Sequence, residues 1–170
     1  MVLVDKDIKN LVKENRLIVE GYDEANVGSI SCDLTIDTII SFTTNGPKEQ
    51  VNYELASGEY CVIQTKEKIS MPDNLIGRIE EKNSIIRLGL IVSGPCYQPG
   101  HETYCYLRVY NISKQRIMLS KGFKIAQIMF EELSGVPNET YNQKADASFN
   151  QEEEYRGFAR YQDEYKTRVV

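Results

Sequence analysis

The sequence predicts one domain built mostly of β-strands, arranged as a barrel or sandwich behind a short N-terminal helix. The chain has 170 residues, which is enough for a single hydrophobic core, and its 41% hydrophobic and 26% charged content is ordinary for a globular protein. Short apolar runs alternate with turn residues from Ser31 onward, a spacing typical of all-β domains.

The N-terminal segment predicts an amphipathic helix over residues 5 to about 14. Asp5 is a favourable cap, and Ile8, Leu11 and Val12 follow at helical spacing. Strands are predicted next at residues 31–42, 60–65, 75–80, 88–93, 104–110, 116–119 and 124–131. The turns that separate them include Asn45-Gly46-Pro47, Pro72-Asp73, Pro99-Gly100 and Lys121-Gly122.

The composition changes at Ser134, so we divide the chain into a barrel domain, residues 1–133, and a C-terminal tail, residues 134–170. Gly135 and Pro137 break the strand pattern, and a run of acidic residues at 152–154 is typical of a solvated segment. The tail nevertheless carries aromatic residues, and we therefore predict that it closes a site or packs on a neighbouring subunit. These residues are Phe149, Tyr155, Phe158, Tyr161 and Tyr165.

Charge and cysteine usage limit the function classes. A net charge of −5 and a pI of about 5.1 argue against bulk nucleic-acid binding, although a local basic pocket could still bind a nucleotide. The chain shows no signal peptide and no apolar run of membrane-spanning length, which predicts a cytoplasmic protein without a membrane contact. The four cysteines form no CxxC pair and are predicted to be reduced and mostly buried.

A zinc site is not predicted. Zinc-dependent base deaminases use H-x-E followed by P-C-x-x-C, whereas Pro95-Cys96 precedes His101-Glu102 here and no second cysteine follows at the required spacing. His101 is the only histidine, and we interpret it as a loop residue rather than a metal ligand.

Residues 76–133 resemble the core of the dCTP deaminase/dUTPase superfamily, and the resemblance extends over nearly the whole chain. LVDKDIKNLVKENRLIVE resembles the family's N-terminal helix and first strand, VGSISCDLTID its first barrel strand, and KGFKIAQIMFEEL its last. The resemblance implies a dUTPase-like β-barrel of the β-clip or jelly-roll type. It also implies a homotrimer with sites between subunits, and a deoxypyrimidine nucleotide as the small-molecule ligand.

The family's phosphate motif reads G-R-S-S-x-x-R-L-G, and residues 81–89 read EKNSIIRLG. The resemblance therefore assigns nucleotide binding to Lys82, Asn83, Ser84 and Arg87. Lys82 keeps the charge of the family's arginine but loses its bidentate fork. Glu81 replaces a glycine, and its charge would repel a triphosphate. No cofactor is implied beyond Mg²⁺ accompanying a triphosphate.

Both catalytic positions of the superfamily are substituted. Gln98 stands where the dUTPases keep an aspartate, and Arg108 stands where the deaminases keep a glutamate. Glutamine is a very poor base, and arginine does not release its proton near neutral pH. Strand alternation predicts that Arg108 shares one face with Tyr104, Tyr106 and Tyr110.

The tail contributes the remaining predicted site residues. The resemblance implies a closing segment that carries lysine, tyrosine and glutamine, and Ser148, Phe149 and Gln151 stand at about those places. Phe149 can stack on a base, and Gln151 completes the predicted nucleotide-binding set that also contains Gln98 and Arg108. The family's ion-pairing lysine has no counterpart at these places.

Three functions follow from these substitutions. The first, favoured by the two substituted positions, is a catalytically altered or inactive nucleotide-binding protein that senses or sequesters deoxypyrimidine nucleotides. The second is an active enzyme of nucleotide metabolism, a dCTP deaminase or a dUTP diphosphatase (a hydrolase), with its acid supplied by Glu80, Glu81 or Glu102. The third is a structural barrel with a protein partner, in which Arg108 pairs with Glu80 or Glu81 and fills the site.

Overall fold

The computed structural model describes residues 1–44 and 46–157, and in them the fold is mostly β. Two α-helices are present, α1 (Asp5–Lys13) and α2 (Asn83–Arg87). The strands of the described residues are β1 (Leu17–Glu20), β2 (Cys32–Thr43), β3 (Gly46–Gln50), β4 (Asn52–Leu55), β5 (Tyr60–Ser70), β6 (Leu75–Glu81), β7 (Leu90–Ser93), β8 (Cys96–Tyr97), β9 (Glu102–Asn111), β10 (Ile117–Ser120) and β11 (Lys124–Glu132). Short 3-10 helices occupy Glu24–Asn26 and Tyr141–Gln143.

Nine of these strands form one antiparallel sheet that curls into a half-barrel, which confirms the predicted mostly-β, dUTPase-like fold class. Its order is β7-β9-β5-β2-β11-β6-β8, with β1 added to β5 and β3 added to β2, while β10 and β4 pair separately. Strand β2 joins the two halves of the sheet, because its first residues pair with β11 and its later residues pair with β5. The register shifts between Ile36 and Thr38, which marks the bend.

The core lies inside this curl and is formed by alternate residues of the long strands. On β9 the inward residues are Cys105, Leu107 and Val109, each fully buried, and Phe130 of β11 is also fully buried. Period-two burial is expected of strands that cover a core on one face. Because these inward residues hold one face of β9 against the core, the other face of the strand is available to line a site.

The cysteine prediction is confirmed. All four thiols are free, with Cys32, Cys61 and Cys105 buried and Cys96 exposed. Burial raises the pKa of each of the three buried thiols to about 12, so they remain protonated and inert.

The N-terminal helix is confirmed, but its predicted cap is wrong. Helix α1 spans Asp5–Lys13 with Val4 as its N-cap, and Asp5 is already the first helical residue. The Asp7 carboxylate at the third helical position accepts the Val4 N–H at 3.4 Å, which is the back-bond of a capping box. Ile8 is fully buried and joins the core.

The seven predicted strands are all present, β1 is the first strand that the resemblance implies, and β3, β4, β8 and α2 are additional. Asn45 lies outside the described residues, and the predicted turn residues Gly46 and Pro47 begin β3. Proline is tolerated there because β3 is an edge strand that pairs only with β2 within the described residues.

Neither α-helix, nor any other helix among the described residues, has the length and apolar character needed to cross a membrane.

Candidate functional site

A cleft of about 540 Å³ opens on the face of β9 that points away from the core. Tyr104 and Tyr106 line it half-buried, and Arg108 lines it with an exposed side chain. The predicted alternation along β9 is therefore confirmed, since these residues lie opposite the buried Cys105 and Leu107.

The other walls come from the β8–β9 connection and from the tail. Gln98 and His101 line the cleft from the connection, and Phe149 lines it from the tail. Three residues that the sequence assigned to one site, Gln98, Arg108 and Phe149, thus lie around one cleft. Tail residue Lys144, to which no role was assigned from sequence, donates a hydrogen bond from Nζ to Gln98 Oε1 at 3.3 Å.

The pairing of Arg108 with Glu80 or Glu81 is wrong. Arg108 Nη2 donates to Ser93 Oγ at 3.0 Å, and Glu81 Oε1 accepts the backbone N–H of Val92 at 2.8 Å. The carboxylate of Glu81 thus ties the end of β6 to β7. The cleft remains open, which removes the basis for a barrel whose pocket is filled by this ion pair.

The predicted phosphate-binding residues lie elsewhere in the same chain. Lys82 precedes α2 and forms an ion pair with Asp33, whose other carboxylate oxygen lies 3.5 Å from Lys124 Nζ. Arg87 Nε donates to Asn83 Oδ1 at 3.1 Å, one turn away on α2. Neither these residues nor Ser84 lines the cleft, so their assignment to the phosphates stays a prediction.

The described part of the tail lies along its own barrel. His101 Nε2 hydrogen-bonds the Phe149 carbonyl at 2.9 Å, and its ring lies 4.1 Å from that of Tyr141. Two residues after Phe149, the Gln151 backbone N–H donates to the Glu102 carbonyl at 2.6 Å. His101 occupies the connection before β9, and burial lowers the pKa of its imidazole.

Packing of the tail on a neighbouring subunit stays a prediction, and Phe158, Tyr161 and Tyr165 lie outside the described residues.

The tail directs Glu152, rather than Gln151, into the cleft. A parallel bridge pairs Glu152 with Thr103 of β9, which leaves Gln151 exposed with a φ of 54° and outside the cleft lining. Glu152 is only 5% exposed, and its Oε1 accepts the Arg156 backbone N–H at 2.8 Å. Burial raises the pKa of this carboxyl group.

Glu152 is a site residue that was not predicted from the sequence. It is the only carboxylic acid among the described residues that line the cleft. Of the acids named from sequence, Glu102 lies 3.4 Å from Lys68 Nζ and none lines the cleft. The described residues also contain no cluster of three or more histidine, cysteine or acidic side chains suited to a metal ion.

Gly100 permits the tail to approach, and Gly100→Ala is expected to loosen it. Its φ is +77°, and a Cβ there would lie 2.5 Å from Asn142 Oδ1 and 3.0 Å from Thr140 Cβ. The alanine variant should therefore lose about 1–2 kcal/mol to backbone strain and also displace residues 140–152. Hydrogen exchange of the tail amides would measure this displacement.

Gly58→Ala is the matched control, because Gly58 has a φ of +79° and an alanine Cβ at this position would meet no described atom within 4 Å. Both variants carry the backbone strain of an alanine at positive φ, but only Gly100→Ala should speed hydrogen exchange of the tail amides. Equal tail protection in the two variants would contradict the close approach at Gly100.

Comparison with known proteins identifies relatives of this fold. The sequence profile of the dCTP deaminase-like (DCD) family matches residues 2–133. A "dCTP deaminase, dUMP-forming" of Hydrogenobaculum sp. (strain Y04AAS1) is 30% identical over 152 residues, covering 81% of this chain and 86% of the relative. A "dCTP deaminase" of Tolumonas auensis is 25% identical over 183 residues, covering 90% of this chain and 95% of the relative.

Solved structures agree on the fold. The 2'-deoxycytidine 5'-triphosphate deaminase of Agrobacterium tumefaciens superposes with a TM-score of 0.67 at 19% identity over 81% of this chain, which spans about half (50%) of that longer chain. A dUTPase of EIAV superposes with a TM-score of 0.50 at 22% identity, covering 64% of this chain and 80% of the dUTPase. With its residues 2–133 matched by the family profile, the chain belongs to the dCTP deaminase-like family.

Proposed function

We propose that this protein binds a deoxycytidine nucleotide in the cleft on β9 and deaminates the base at C4. The relatives named dCTP deaminase support the reaction. The observation that carries the proposal is the cleft itself, where Arg108 and Gln98 face Phe149 under the tail. Aromatic side chains such as Phe149 and Tyr106 suit the stacking of a base.

Arginine at position 108 favoured a catalytically altered protein on sequence grounds, because it cannot accept a proton. The cleft, however, contains a carboxyl group from the tail, Glu152. The substitution on β9 therefore does not remove acid–base chemistry from the cleft. Deamination is for this reason the proposed function, in place of nucleotide sensing or sequestration.

The proposal includes a homotrimer in which α2 of a neighbouring copy brings Lys82, Ser84 and Arg87 to the nucleotide's phosphates. Two facts support it: these residues do not line their own cleft, and apolar side chains around α2 are exposed. Exposed apolar groups in one region suit a subunit contact. They are Ile86, Leu88, Ile91 and Ile112.

A second candidate is nucleotide binding without turnover. Its support is Arg108 in the cleft, a cation that can contact a phosphate but cannot accept a proton. In this case the protein would bind deoxypyrimidine nucleotides and leave them unchanged.

Purified protein incubated with dCTP tests the two candidates. We expect release of ammonia and a uracil nucleotide, measured by chromatography, at a rate on the order of 1 s⁻¹. Calorimetry with dCTP and dUTP measures binding in parallel. Binding without ammonia release would favour the second candidate, and absence of both would contradict both.

A further inference from the structure

We infer that Glu152 is the catalytic group that transfers protons between water and the cytosine base during deamination. This inference rests on the proposed function. It assigns the acid–base role to the tail, whereas the family resemblance assigns it to the β9 position that Arg108 occupies.

The placement of Glu152 is fixed by backbone contacts to β9. It forms the parallel bridge with Thr103, and Thr103 Oγ1 lies 3.4 Å from the Glu152 carbonyl. The preceding residue is anchored by the bond from Gln151 N to Glu102 O at 2.6 Å. Two successive anchors of this kind hold the carboxyl group against the cleft wall, as a proton-transfer group requires.

The chemistry needs one group that first accepts and then donates a proton. As the oxygen of water bonds to C4, the Glu152 carboxylate takes a proton from it and delivers that proton to N3. The Glu152 carboxylate next takes the proton of the new C4 hydroxyl as the C4 carbonyl forms and passes it to the amine, the C4–N bond breaks, and ammonia leaves. Cytosine and water become uracil and ammonia, and no oxidant or further reactant is required.

The surroundings of Glu152 suit this role. The group is nearly buried, and burial raises the pKa of its carboxyl group, which brings it closer to the working range of a general acid–base at neutral pH. The Tyr106 hydroxyl lines the same cleft, is buried, and has no hydrogen-bond partner within the described residues. A bound base or the attacking water would provide that partner.

The test replaces the carboxyl group by an amide. Glu152→Gln should lower kcat for dCTP about 10²- to 10⁴-fold, while dCTP binding stays within about threefold. Glu153→Gln is the matched control: its side chain is exposed and ion-paired with Lys68 at 3.2 Å, outside the cleft, and its kcat should remain within about twofold of the parent. Glu152→Asp retains the carboxyl group and should show an intermediate kcat.

The pH profile separates catalysis from a structural role. In the plot of kcat against pH, the fall on the acidic side should reflect protonation of Glu152 in the parent protein. This acidic limb should be absent from the pH profile of the residual activity of Glu152→Gln. The groups that face Glu152 are Tyr97 of β8, Tyr106 of β9, and Tyr155 and Arg156 of the tail, with Arg108 on the same cleft. A merely structural Glu152 would leave that limb in place.

The possible outcomes are distinct. An active parent whose Glu152→Gln variant keeps its kcat, or keeps the acidic limb, overturns this inference alone. An inactive parent overturns the proposed function and this inference with it. If Glu152→Gln does not fold, a Glu152→Asp variant with full parental kcat and an unshifted limb would also overturn the inference.

Discussion

A chain that ends at Val136 is expected to lose at least about 100-fold in dCTP turnover while keeping its β-barrel. The deletion removes Phe149, Glu152 and Tyr155 from the cleft, and with them the proposed base stack and the proposed acid. General acid–base catalysis alone contributes about 10²- to 10⁴-fold. The last barrel strand ends at Glu132, so the sheet itself remains complete.

Circular dichroism and a melting curve should accompany the turnover measurement. We expect unchanged β content and one cooperative transition at a lower temperature, because Tyr97, His101 and Thr103 lose part of their cover. Turnover within about threefold of the parent would show that the tail is a dispensable segment. Loss of the cooperative transition would show instead that the barrel needs the tail to fold.

The strands could be predicted because their signal is local. On β9 the alternation of polar and apolar residues gave both the strand and the face that carries Arg108, and burial confirms both. Strand β3 was missed because Gly46-Pro47 is typical of a turn, and only the edge position of that strand makes proline acceptable. The short helix α2 was missed because its five residues are too few for a helical period.

The candidate site was predictable only in part. The resemblance placed Gln98, Arg108 and Phe149 in one site, and the structure gathers them around one cleft. Glu152 carries no sequence signal, since it lies within an acidic run that is typical of solvated surface. Its burial depends on hydrogen bonds between the tail and β9, which join residues 49 positions apart and which no local pattern encodes.

The partners of charged side chains were the least predictable feature. Arg108 and Glu81 looked mutually compensating from sequence, yet Glu81 bonds the Val92 backbone and Arg108 bonds Ser93. Both charged groups thus bond neutral groups of β7, which charge complementarity alone does not predict. In the same way, Lys82 pairs with Asp33 of β2, which is adjacent to it only in the folded sheet.

The second large effect concerns the neighbouring copy. Arg87→Ala is expected to weaken nucleotide binding about 10-fold or more, since a charge-assisted hydrogen bond contributes about 1.5–3 kcal/mol. Its folded structure should tolerate the change, because the side chain is exposed and, within the described residues, hydrogen-bonds only to Asn83 on its own helix. At subsaturating dCTP, turnover should therefore fall to about a tenth or less.

Mixing this variant with the chain that ends at Val136 then tests whether sites are shared. If α2 of one copy serves the cleft of the next, about a quarter of all sites in random trimers from an equal mixture are intact. An intact site combines a cleft whose own chain keeps its tail with a neighbouring copy that keeps Arg87. Turnover should rise to about a quarter of the parental value, well above either variant alone. Native mass spectrometry would verify that mixed trimers form. Mixed trimers without regained turnover would show that each cleft works with residues of its own chain, and Lys82, Ser84 and Arg87 would then need another role.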